Sequence, residues 1–117
     1  MKNILILVLL IIFSSCKNGE KKEENIVEKV PTSEERAKYA ELKTEAWNLY
    51  ENQEYLGSAK KYSEAFTALG NKGNTNDRYN AACSWALANQ IDSSFVQLFR
   101  IAETLVLQQA IIKLYSL

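Results

Sequence analysis

The chain has 117 residues, 14 basic and 14 acidic side chains, no histidine, two cysteines and a single proline. A balanced charge lacks the electrostatic footprint that phosphate backbones require, so nucleic-acid binding is not expected. Without histidine, and with two cysteines far apart in sequence, there is no candidate metal or cofactor site and no base to activate a nucleophile.

Met1, Lys2 and Asn3 precede an unbroken apolar run over residues 4–13, and Ser14, Ser15 and Cys16 then lead into charged sequence. The run is shorter than the roughly 20 residues a bilayer core demands, and it stops at small residues, which is the pattern of an export signal. Phe13-Ser14-Ser15-Cys16 resembles the lipobox of bacterial lipoproteins, with Phe13 where an aliphatic residue is usual. The resemblance implies cleavage of residues 1–15, acylation of the Cys16 thiol and anchoring of the mature chain to a bacterial membrane by lipid. An uncleaved signal anchor is the alternative. Loss of Lys2 with the signal leaves the mature chain with a net charge of about minus one.

Residues 17–25 contain no apolar side chain, so burial cannot offset their ordering entropy and a solvated tether is expected over residues 16–31. Lysine directly after the cysteine argues, by lipoprotein sorting rules, against retention in an inner membrane. With the acids that follow, it also resembles the surface-export signal of Bacteroidota lipoproteins; a plain charged leader accounts for it equally. The expected location is the cell envelope, on the periplasmic or surface face of the outer membrane. With Cys16 occupied by lipid, Cys83 has no intramolecular disulfide partner.

Residues 32–117 suffice for one small domain, and their pattern is helical throughout. Thr32 is placed to cap a first helix over residues 33–52, with Leu42, Ala46 and Leu49 on one face and Trp47 and Tyr50 beside them. After a break near Gln53, Tyr55, Ala59, Tyr62, Ala65, Phe66 and Leu69 line a second helix, which the glycines and asparagines of residues 70–76 end. Asn76 or Asp77 is the expected cap of a third helix that carries Tyr79, Ala82, Cys83 and Ala86. Residues 91–94 should break it, and a fourth helix from about Ser93 carries Phe95, Leu98, Phe99, Ala102 and Leu105.

Superposed at an offset of 37, the two halves match in side-chain size: Leu42 over Tyr79, Ala46 over Cys83, Leu49 over Ala86, Tyr62 over Phe99 and Ala65 over Ala102. Tyr55 over Asp92 is the exception. Over residues 39–102 the chain resembles the tetratricopeptide repeat family, whose 34-residue unit packs helix A on helix B through small residues. Leu42, Ala46, Leu49, Tyr55, Ser58, Tyr62 and Ala65 stand at the family's key positions in the first unit. Tyr79-Asn80-Ala81-Ala82-Cys83 and Ala86-Leu87-Ala88-Asn89 resemble its phrases in the second. The turn glycine of both units and the proline closing helix B are absent. The resemblance implies an all-α fold of antiparallel helix hairpins, an α-solenoid fragment.

It also implies a concave groove for a protein or peptide partner, with Lys43, Trp47, Tyr50, Asn80, Ser84 and Leu87 as the groove residues. Trp47 is either an exposed aromatic anchor or is packed against residues 26–36 or a neighbouring helix. Cys83, on the small-residue face, is expected to be a packing residue rather than a nucleophile. Residues 104–117 are apolar on nearly every side with Lys113 alone charged, whereas terminal helices of arrays normally turn a polar face outward. That tail either folds back, docks on a second copy or a membrane, or belongs to a chain that continues. Two functions follow: a lipid-anchored peptide-binding scaffold that does no chemistry, or the leading piece of a larger envelope enzyme.

Overall fold

The computed structural model describes residues 29–116, which form four α-helices: α1 (Ser33–Glu51), α2 (Tyr55–Ala68), α3 (Thr75–Leu87) and α4 (Ile91–Tyr115). The expected signal peptide, the lipidation residue Cys16 and most of the expected tether lie outside the described residues. No strand occurs among those described, and each helix packs on the next, so the fold is all-α and built of antiparallel hairpins.

Thr32 starts the fold. Its hydroxyl accepts the Glu35 backbone N–H at 3.1 Å, while its own N–H donates to the Glu35 carboxylate at 2.8 Å, which satisfies two otherwise orphaned donors. α1 then buries Tyr39, Leu42 and Ala46 at spacings of three and four. The helix ends where Gln53 takes a left-handed conformation (φ 64°), and the Glu54 N–H closes the turn on the Leu49 carbonyl at 2.9 Å. α2 answers with Ser58, Ala59, Tyr62, Ala65 and Phe66, and the core forms where Tyr39, Leu42 and Ala46 meet Tyr62, Ala65 and Phe66, joined from α3 by Ala81. Small residues let the helices approach closely: Ser58 and Ser84, both fully buried, bring their hydroxyl oxygens to 2.9 Å between α2 and α3. Between α3 and α4, the Ser94 hydroxyl donates to the Ala82 carbonyl at 2.8 Å.

The loop before α3 is held by Gly73, where a β-carbon would run into the ring of the buried Phe66. Asn74, rather than Asn76 or Asp77, caps α3: with extended backbone it accepts the Asp77 N–H on its side-chain oxygen at 2.8 Å. Asn76 and Asp77 therefore lie in the first turn. The buried face of α3 is Asp77, Arg78, Ala81, Ala82 and Ser84, whereas Tyr79 is 59% exposed and Cys83 half-buried. A helical phase set by the aromatic Tyr79 is therefore off by one residue, about 100° around the helix.

The same shift corrects the repeat offset. The left-handed turn residues Gln53 and Asn89 stand 36 apart, not 37, as do the buried alanines Ala46 and Ala82 and the buried serines Ser58 and Ser94. Asn89, with φ 58°, makes the break, and α4 begins at Ile91 instead of near Ser93. α4 then continues as one helix to Tyr115. It meets α3 through Ser94 and Gln97, and Ser94 is its single buried residue.

Candidate functional site

α1 and α3 flank an open groove of about 400 Å³ lined by Lys43, Thr44, Trp47, Tyr62, Asp77 and Asn80. Little more than one turn of α1 contributes Lys43, Thr44 and Trp47, because spacings of one, three and four fall within one helical sector. Asp77 and Asn80, three apart on α3, face them. Tyr62 rises from α2 between them as a floor, almost wholly buried.

The polar end of the groove is organised around one carboxylate oxygen. Asp77 Oδ2 accepts from the Tyr39 phenol, from Asn74 Nδ2 at 2.8 Å and from Lys43 Nζ at 3.4 Å, and the Asn74 N–H in turn donates to the Tyr39 oxygen at 3.4 Å. Four side chains from α1, the loop and α3 are thereby tied together at one point. Burial, reinforced by the bond to Asp77, holds the Tyr39 phenol above its ordinary range, and burial raises the Tyr62 phenol as well. Lys43 Nζ also lies 5.7 Å from the centre of the Tyr39 ring, where the ring face attracts it.

The other end is aromatic. Trp47 is 43% exposed and stacks on Tyr50 with ring centres 5.5 Å apart, and Tyr50 is met edge-on by Tyr55. The indole is thus braced by a neighbour one helical turn away while a large part of it faces solvent. The groove offers an ammonium, an amide and a hydroxyl along one stretch and an aromatic face along the next, which suits an extended chain with both polar and apolar groups. Among the described residues no cluster of histidine, cysteine, aspartate and glutamate is placed to hold a metal ion.

Of the six groove residues expected from the sequence, Lys43, Trp47 and Asn80 line the groove, and Tyr50 stands behind Trp47 as its brace. Ser84 does not reach it. It is sealed against Ser58, donating to the Asn80 carbonyl, because on α3 it lies on the α2-facing side. Leu87 is exposed elsewhere, in a shallow dent with Tyr55, Leu56 and Ala88 at the turn end of the hairpins. Thr44, Tyr62 and Asp77 line the groove and were not anticipated; the spacing of Asn74 and Asp77 is the signal that would have placed the acid in a first helical turn.

The outer part of α4 forms a second surface. The helix is long and apolar enough to cross a membrane by length and composition, and only 6% of its most apolar window is buried. Phe99, Ala102, Glu103, Val106 and Leu107 make a dent on it that is almost entirely apolar at its surface. Comparison of the chain with protein-family models, with curated proteins and with solved structures returns no match.

Proposed function

We propose that this chain is a membrane-anchored tetratricopeptide-repeat lipoprotein that acts as a protein- or peptide-binding scaffold in the bacterial cell envelope. The observation that carries the reading is the groove between α1 and α3, with its ordered Asp77 corner at one end and the half-exposed Trp47 at the other. The repeat supports it: Ala46 and Ala82, Gln53 and Asn89, and Ser58 and Ser94 recur at 36 residues, and Tyr62 is matched by Leu98. Leu42 against Arg78 and Ala65 against Ile101 are departures. An offset of 36 lengthens the family's 34-residue unit by two.

In this reading Cys16 carries the lipid that holds the chain at the outer membrane, and the apolar outer half of α4 is a surface for self-association. A partner segment lies along the groove, its apolar side chain on the open indole of Trp47 and its backbone or polar groups on Lys43, Thr44 and Asn80. Trp47 is then the anchor of the interface, the kind of residue whose truncation costs about 2 kcal/mol or more in binding.

The test is to select peptides from a random display library on the purified chain and to measure their affinities for wild type, Trp47→Ala and, as a control at the turn end, Leu87→Ala. Loss of more than tenfold for Trp47→Ala alone supports the groove; peptides that bind Trp47→Ala as well as wild type overturn it. The anchor is tested separately. Cys16→Ser should abolish metabolic labelling with lipid and release the chain from the membrane fraction, and labelling that persists in the variant rejects the lipoprotein reading.

A further inference from the structure

At the position that Leu42 holds in the first hairpin, 36 residues earlier, the second hairpin carries Arg78. Both are buried, at 5% and 8% exposure. A guanidinium does not shed its charge as a buried carboxyl or amine does, so its burial calls for an anion close by. Arg78 has only neutral partners: one terminal nitrogen donates to Gln97 Oε1 at 2.9 Å, the other to the Asn71 carbonyl at 2.6 Å, and the group lies 4.5 Å from the centre of the Phe66 ring. No carboxylate among the described residues forms an ion pair with it. Two of its five N–H donors are thereby used.

A second cation faces the same space. Arg78 and Arg100 line a cleft of about 260 Å³ between α2 and α4 that shares no residue with the groove. Burial, and then the charge of Arg100, disfavour the charged form of Arg78 and outweigh the smaller favourable effects of Tyr39 and of Glu103, which makes no ion pair with it. Arg100 pairs with Glu103 at 3.4 Å, but both side chains are largely exposed and water screens that pair. Ser63 and Thr67 on the opposite wall already donate to carbonyls of their own helix. The positive charge in this cleft is therefore that of the two guanidiniums, with the Gln97 amide beside them.

We propose that the cleft between α2 and α4 is an oxyanion site in which Arg78 and Arg100 together take a phosphate group. Planar guanidiniums match the oxygens of phosphate in pairs, and a dianion compensates two cations where a single carboxylate would compensate one. The buried Arg78 departs from the hairpin's apolar plan, as expected where binding has displaced packing.

The experiment uses the full chain in detergent at pH 7.5, with inorganic phosphate against sodium chloride at matched ionic strength, read by the melting temperature and by the 31P line width. Wild type should melt higher in phosphate, in proportion to the logarithm of its concentration, and broaden the 31P line. Arg100→Gln, a change on an exposed side chain, should keep the fold and weaken phosphate binding at least tenfold. Arg78→Leu, which restores the residue type of the first hairpin, should melt at least as high as wild type in chloride and ignore phosphate. No rise over chloride in wild type, or an equal rise and equal broadening in Arg100→Gln, overturns the proposal. Should Arg78→Leu fail to fold, Arg100→Gln decides alone.

Discussion

The core of α1, α2 and α3 and the outer half of α4 are both built on large apolar side chains and have opposite fates. Around Tyr62 the side chains of three helices close on one another, with Tyr39, Leu42, Ala46, Ala65, Phe66 and Ala81 all buried. From residue 102 to residue 116 every side chain of α4 is exposed, Tyr115 to 90%. The difference lies in what faces each helix. In the hairpins alanine and serine let a neighbouring backbone come close, and large residues fill the space that remains. The outer half of α4 has Leu105, Val106, Leu107, Ile111, Ile112 and Leu114 around its circumference, but no described helix opposite them. Apolarity drives burial, and burial requires a second surface.

That contrast can be broken or sharpened by substitution. The largest effect belongs to the core: Tyr62→Ala removes an almost wholly buried ring and should lower stability by about 3–5 kcal/mol in urea denaturation. A loss below about 1 kcal/mol would mean that the α1–α2 contact is not the centre of the fold.

A smaller effect comes from pH. The folded-state pKa of Tyr39 lies above its ordinary value of about 10, so the native chain keeps a proton that the unfolded chain releases. The associated stability is fully present below pH ~10 and is lost as pH rises toward the folded value. The urea midpoint should therefore fall between pH 9 and pH 11 more steeply for wild type than for Tyr39→Phe. Parallel curves for the two would show that the Asp77 corner does not hold the phenol in its neutral form.

The smallest effect is expected at the far end of α4. Ile112→Ser should change the urea midpoint by no more than about 0.5 kcal/mol equivalent, because Ile112 is 67% exposed and has little burial to lose. A loss above about 1 kcal/mol would show that this half packs in solution, and its dependence on protein concentration would say whether a second copy is the partner.

Much of the hairpin plan was legible in the sequence. Thr32 as a cap, the break at Gln53 and the α2 face from Tyr55 to Phe66 follow from periodicity and side-chain chemistry, and the structure has them. What was less legible was phase. α3 is short and its most conspicuous residue, Tyr79, points outward, so a size match at 37 looked as good as the true one at 36. The turn residues would have decided it, but Gln53 and Asn89 are not glycines, and neither announces left-handed backbone as glycine does. Ser84 is missed in the same way, because it lies on the α2-facing side of α3, and Asp77 is missed because the cap stands at Asn74 rather than beside it. Arg78 was hidden for a different reason: a charged residue reads as surface until its neighbours are known.

Serine has a consequence for α3 that its size alone does not suggest. Ser58 and Ser94 hold equivalent positions and reach α3 from its two sides, one through the Ser84 hydroxyl and the other through the Ala82 carbonyl. Apolar contacts are indifferent to small sliding, whereas a hydrogen bond is tied to a direction and a length. Two oxygen atoms thus act as pins that stop α3 from slipping along its neighbours, and any array grown by this rule would inherit its pitch from them.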